Sequence, residues 1–205
     1  TYPNLLTREG GMGNEYNKWS TRVTPTHKVT IPCTRMLAGP MDFTPGVLSL
    51  QGRGQPLQST LARQLALYVV LYSPIHMAAD LPENYEQHMD AFQFIRDVAV
   101  DWQDTRVLNG EIGDFATIVR KDRNSGDWYL GSVTDENERM FQVSLSFLAP
   151  GQRYVAEIYR DGDDAHYTTS RFAFARETRT VSSADTLTLR LAAGGGQAIR
   201  FVAKR

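Results

Sequence analysis

The stretch Met140-Phe-Gln-Val-Ser-Leu-Ser-Phe147 alternates without a slip: Phe141, Val143, Leu145 and Phe147 are apolar, and Gln142, Ser144 and Ser146 between them are polar. A period of two puts the first set on one face of an extended chain and the second on the other, which predicts a strand with one buried and one wet face. Working outward, runs of the same kind lie at Phe115–Arg120, Trp128–Val133, Tyr154–Tyr159, His166–Phe172, Leu187–Leu191 and Ala198–Ala203. The breaks between them carry turn residues: Asn124-Ser-Gly126, Ala149-Pro-Gly151, Asp161-Gly-Asp163 and Gly194-Gly-Gly196. Short strands at this spacing predict an antiparallel sandwich or barrel-like module from about residue 105 onward.

Before that point the period changes. From Pro56 to Tyr72 the residues Leu61, Leu65, Tyr68, Val69 and Tyr72 recur at helical spacing, and Ser73-Pro74 ends the run because proline disfavours helical geometry before it. A second helix is expected from Glu83 to Val100, with Tyr85, Met89, Phe92, Ile95 and Val98 or Ala99 on its buried face. Lys28 to Cys33 reads as a strand. Residues 7 to 27 and 34 to 56 are long stretches without a regular period, uncommon in a compact domain unless functional. Long loops at the carboxyl ends of strands hold the site in α/β barrels, so the first half reads as the tail of a larger barrel.

The 205 residues, 41% hydrophobic, suffice for one large domain or two small ones. With 22 basic against 23 acidic residues the formal charge is -1, which gives no footprint for nucleic acid or an anionic membrane. One cysteine, Cys33, excludes an intrachain disulfide framework and a multi-cysteine zinc site; it is expected as a small buried side chain. No apolar run approaches the roughly 20 residues of a membrane span.

Candidate chemistry begins at Arg8-Glu-Gly-Gly-Met-Gly-Asn-Glu15, where two carboxylates flank a glycine cluster. Glycines at 10, 11 and 13 would let the chain turn tightly enough to bring Glu9 and Glu15 into one pocket, as a hard-cation ligand and a proton donor. The alternative is the solvated rim of a loop. His27, His76, His88 and His166 lack metal-ligand spacing, and no serine sits in a nucleophile elbow. Asp161-Gly-Asp163-Asp164 lacks the ordered ligands of a calcium loop and reads as a turn. Tyr16, Trp19, Phe43, Trp128 and Tyr129 are candidates for sugar stacking, with core packing as the default for most of them.

The run Thr30-Ile-Pro-Cys-Thr-Arg-Met-Leu-Ala-Gly-Pro-Met-Asp-Phe-Thr-Pro-Gly46 resembles the late-barrel motif of glycoside hydrolase family 97, as does TREGGMGNEYNKW before it. Asp127 to Asp135 and Tyr154 to Gly162 are similar to that family's carboxyl-terminal β-domain. The resemblance implies the last elements of a catalytic (β/α)8 TIM barrel in residues 1–104, incomplete, followed by an antiparallel β-sandwich-like domain in residues 105–205. It further implies part of a calcium-dependent, exo-acting glycoside hydrolase cleaving α-glucosidic linkages, with α-galactosidase activity as the alternative within the family. By motif position Glu15 corresponds to the general acid and Glu9 to a calcium ligand. The implied partners are an α-linked oligosaccharide and the missing amino-terminal part of the protein, and the implied location is periplasmic or secreted. The second carboxylate that glycoside hydrolysis requires lies upstream in that family, so the 205 residues alone are expected to be inactive. A non-catalytic carbohydrate-binding or structural β-module is the rival from another class.

Overall fold

The computed structural model describes residues 6–52 and 54–204. Its organising element is a six-stranded sheet in the order β1-β2-β3-β8-β5-β6, formed by β1 (Trp102–Glu111), β2 (Phe115–Asp122), β3 (Trp128–Thr134), β5 (Tyr154–Asp161), β6 (Phe174–Val181) and β8 (Gly196–Ala203). Every pair in it is antiparallel. A second, two-stranded antiparallel sheet of β4 (Arg139–Ser144) and β7 (Thr186–Leu191) covers one face. The opposite face is covered by helices α2 (Leu61–Val70) and α4 (Met89–Asp97). The short helices α1 (Pro25–Thr30) and α3 (Pro82–Glu86) complete the regular structure before the sheet.

Helix α2 is buried over all ten residues, which is why its pattern is apolar nearly all round rather than a stripe. Thr60 starts it by accepting the Arg63 amide on its side chain. It lies across β3 and β8, and two glycines make the approach possible. A Cβ at Gly131 would meet the Ala66 carbonyl at 2.6 Å, and one at Gly196 would meet Arg63 Cα at 2.9 Å. Arg120 on β2 donates from Nε to the Val69 carbonyl at 2.6 Å, satisfying an acceptor that the helix end leaves open. The central strands β2, β3 and β8 are buried on both sides and therefore show little polar alternation.

The core does not stop at the sequence boundary near residue 104. Phe94 of α4 packs edge-on against Tyr129 at 6.2 Å and against Tyr159 at 5.2 Å, and Tyr129 donates its hydroxyl to the Asp97 carbonyl at 2.7 Å. Arg200 reaches Asp97 at 3.1 Å and Asp127 at 2.9 Å, joining helix and sheet with one guanidinium.

Several expectations need correction. Lys28 to Cys33 is not a strand: Thr24 caps a helix by accepting the His27 amide, Pro25 occupies its first turn, and the chain runs through α1 into a 3₁₀ turn at Ile31–Cys33. That capping outweighs the β-branched run Val29-Thr30-Ile31. The segment from His166 to Phe172 is a turn closed by a His166–Ser170 bridge rather than a strand. The second helix is broken between Glu86 and Met89, which resets its phase; Met89 is 47% exposed and Phe94 takes the buried position. Strands β1 and β6 escaped the sequence reading. They are the sheet's two edges, rich in charged and exposed residues, and β1 carries two register shifts. Cys33 is free and only partly buried. Among the described residues no helix is long and apolar enough to cross a membrane.

Candidate functional site

The site is built outward from Gln64, a buried residue of α2. Its Oε1 accepts from Asn14 Nδ2 at 3.2 Å and from the Val47 amide at 3.3 Å, while its Nε2 donates to Ser59 Oγ at 2.8 Å. Asn14 in turn donates from Nδ2 to the Thr44 carbonyl at 2.6 Å and from its amide to Thr44 Oγ1 at 2.8 Å. The Thr44 hydroxyl donates to the Glu15 carboxylate. A chain of hydrogen bonds therefore runs from the helix to one carboxylate, with Asn14 Oδ1 left as a buried acceptor without a partner.

Glu15 sits on a 3₁₀ turn, Asn14–Lys18, whose two buried residues are Asn14 and Asn17. The carboxylate folds back over Gly13: a Cβ there would lie 2.3 Å from Glu15 Oε2 and 2.7 Å from Thr44 Oγ1. A side chain at this position would have to displace the Glu15 carboxylate from this place, although the backbone itself is in the ordinary extended region. Glu15 itself is exposed and lines a cleft of about 410 Å³ together with Asn14, Lys18, Trp19, Thr44 and Asp80.

Glu9 is held differently. The Arg35 guanidinium donates to the Glu9 carbonyl at 2.7 and 2.9 Å, to the Arg8 carbonyl at 2.7 Å and to the Gly39 carbonyl at 3.1 Å. It thereby pins two segments that pair in parallel, Arg8 with Met41, through Arg8 N to Pro40 O at 3.4 Å and Asp42 N to Arg8 O at 2.8 Å. Gly10, at φ 118°, turns the chain beside that clamp. The Glu9 side chain is exposed and is not among the residues lining the cleft of Glu15. Among the described residues no group of three or more His, Cys, Asp or Glu side chains is gathered as a metal site.

Asp80 lines the cleft and was missed by the sequence reading. Its carboxylate accepts from Ser49 N at 2.7 Å, Leu81 N at 2.9 Å and Asn84 Nδ2 at 2.5 Å, so it fixes the loop wall. The one signal for it was the Asp80-Leu-Pro-Glu-Asn84 spacing ahead of a helix. His27 contacts the Met12 carbonyl through Nε2 at 3.0 Å, and burial lowers its pKa. His76 is half-buried, with both ring nitrogens shielded beside Tyr68, and desolvation takes it down to about 4. Asp161 of the Asp-Gly-Asp-Asp run is a buried acceptor for the amides of Ala192 at 3.0 Å and Gly196 at 2.9 Å. Of the five aromatic candidates, Phe43, Trp128 and Tyr129 are core residues.

Comparison with known proteins decides what this arrangement belongs to. Residues 101–202 match the family model described as "Glycosyl-hydrolase 97 C-terminal, oligomerisation". A glycoside hydrolase family 97 enzyme from Pseudoalteromonas sp. strain K8, solved in complex with panose, aligns with a TM-score of 0.95 at 50% identity over 100% of this chain. The chain belongs to glycoside hydrolase family 97. The same organism's enzyme in complex with acarbose gives a TM-score of 0.95 at 51% identity. Among curated relatives, a retaining alpha-galactosidase of Bacteroides thetaiotaomicron is 36% identical over 98% of this chain, and a probable retaining alpha-galactosidase of Streptomyces bingchenggensis is 33% identical over 96%. The chain spans about a third of the length of these proteins, 28–33%. The antiparallel region from β1 to β8 is thus the family 97 carboxyl-terminal β-domain, and the relatives are glycoside hydrolases.

Proposed function

We propose that the chain is part of an exo-acting family 97 hydrolase that cleaves α-glucosidic linkages, with Glu15 as the general acid. The observation that carries this is the Gln64–Asn14–Thr44 chain of hydrogen bonds ending on an exposed carboxylate in a cleft. A proton donor must be held within reach of the departing oxygen yet open to substrate, and that is what the chain and the glycine beneath it accomplish. The α-glucosidic preference is supported by the higher identity, 50–51%, to the enzyme solved with panose and acarbose, against 33–36% to the alpha-galactosidases. The parallel pairing of Arg8 with Met41 supports reading residues 1–104 as the last part of a (β/α)8 barrel, since all the ladders after it are antiparallel. The β-domain then acts as a structural buttress for α2 and α4. Burial of Trp128 to 4% exposure speaks against an aromatic sugar-binding groove there.

The residues of this chain do not by themselves fit calcium, which takes six to eight oxygen ligands. Glu9 is proposed as one ligand of a site completed outside the chain. Hydrolysis likewise needs a second carboxylate across the sugar ring, so the 205-residue chain alone is expected to be inactive.

The test is Glu15→Gln in the full-length protein. The expected loss is about 10²–10⁴-fold in kcat on maltose, together with disappearance of the alkaline limb of the pH profile. Wild-type turnover by the variant would refute the assignment, and melibiose run in parallel separates glucosidase from galactosidase.

A further inference from the structure

We propose that Trp19 is the platform on which the leaving-group sugar stacks, so that it sets the preference for chain length; the proposal rests on Glu15 being the acid. Among the aromatic candidates that the sequence left undivided, the structure separates two kinds. Phe43, Trp128 and Tyr129 are 2–4% exposed, whereas Trp19 is 67% and Tyr16 39% exposed. An exposed indole offers a flat apolar face with a polar edge, the shape that a sugar ring stacks on.

Trp19 is fixed to the same element as Glu15. Its amide donates to the Tyr16 carbonyl at 3.0 Å and closes the 3₁₀ turn that begins at Asn14. Asn17, buried on the inner side of that turn, donates to the Pro56 carbonyl at 3.5 Å, while a Cβ at Gly52 would lie 3.0 Å from its own Cβ. The turn is therefore pressed against Gly52 and Pro56, which fixes the backbone that carries both Glu15 and Trp19. Its ring is oriented by its neighbours, with Lys18 Nζ 5.3 Å from the ring centroid and the Tyr16 ring tilted at 6.0 Å. Both Trp19 and Glu15 line the 410 Å³ cleft, and the apolar side chains of Val47 and Leu57 line it with them.

Position along the cleft decides which sugar meets the indole. An exo-acting site encloses the terminal ring and leaves the rest of the chain towards solvent, and the acid stands at the bond between them. Trp19 is far more exposed than Asn14, Val47 or Leu57, which are buried, so it belongs to the outer side of that bond. The apolar face of a pyranose against an indole removes hydrocarbon from water on both partners, and a neutral sugar needs no charge from the platform. The ligand class assigned to Trp19 is thus the reducing-side residue of an α-linked oligosaccharide.

The experiment uses the full-length protein with Trp19→Ala and Trp19→Phe, on maltotriose and on α-glucosyl fluoride, whose leaving group carries no ring and needs no proton. The readout is the ratio of kcat/KM for maltotriose to that for the fluoride. For Trp19→Ala it is expected to fall by about tenfold or more, chiefly through KM on maltotriose, with Trp19→Phe intermediate and both pH profiles keeping the wild-type shape. A ratio within about twofold of wild type overturns the proposal, whether both substrates are unaffected or both lose equally, because a fold contact or a terminal-ring contact would not distinguish them. Glu15→Gln run alongside isolates the other reading: unchanged maltotriose turnover and pH profile there would remove the acid assignment whatever Trp19 does. If the intact enzyme prefers galactosides, raffinose and α-galactosyl fluoride take the same places.

Discussion

The two faces of the six-stranded sheet are filled by different chemistry. Under β4 and β7 lie Trp128, Leu130, Phe147, Ile158, Ile199 and Phe201, with Trp128, Phe147 and Phe201 in aromatic contact at 5.2–5.5 Å and a Thr117–Ser132 hydroxyl pair satisfied at 2.7 Å. Under α2 the chain buries Lys28, Arg63, Gln64 and Asp161 beside its apolar residues. Arg63 donates to the Thr134 carbonyl at 2.7 Å and the Pro25 carbonyl at 2.8 Å, and Lys28 donates to the Gln58 carbonyl at 3.1 Å. The contrast teaches that cohesion and positioning are divided. One face holds the sheet together chiefly by apolar area, while directional bonds on the helix face carry a fixed geometry from α2 to the loop of Glu15.

The sharpest way to break that division is on the apolar face. Phe201→Ala removes a fully buried ring and is expected to cost about 3–5 kcal/mol in chemical denaturation, the largest effect of the set. On the helix face, Gln64→Ala deletes one side chain that serves Asn14, Val47 and Ser59. It should cost only about 1–3 kcal/mol of stability, yet lower turnover of the intact enzyme by about tenfold or more through the loss of Glu15's support. If Gln64→Ala proved costlier to stability than Phe201→Ala, or spared turnover, the two faces would not differ as described.

The smallest effect comes from pH. Burial raises the Asp161 carboxyl to about 6 against an ordinary 3.8, in spite of the opposing Thr60 hydroxyl, the amides of Ala192 and Gly196, and Arg63. The folded chain therefore holds this proton more tightly than the unfolded one. Its contribution is full below about pH 4 and is lost as pH rises through about 6. Asp161→Asn keeps an acceptor for the two amides and should flatten the pH dependence of the unfolding midpoint between pH 4 and 6. An unaltered slope would mean that another group titrates there.

How much of this was readable depended on whether the deciding contact was local. The strand at Phe141 and Val143 declares itself because one face is wet. The edge strands β1 and β6 gave no such signal, since charged residues protect an edge by breaking the same alternation. Val29-Thr30-Ile31 looked extended because the cap that makes it helical sits upstream at Thr24 and Pro25. At the site, Glu15 and its glycine were visible as a motif, but Gln64 and Thr44 lie 50 and 30 residues from Asn14 and meet it only in the fold. Trp19 and Trp128 differ in burial by partners that no local window contains.

The core shared across residue 104 bears on how such a protein changes over time. A recombination crossover there would set Phe94 against a foreign Tyr129 and Arg200 against a foreign Asp97. Helix α2 would have to find glycines at the positions of Gly131 and Gly196 in its new partner. The end of the first half and the β-domain are therefore bound to be inherited together, however separable their sequence periods look.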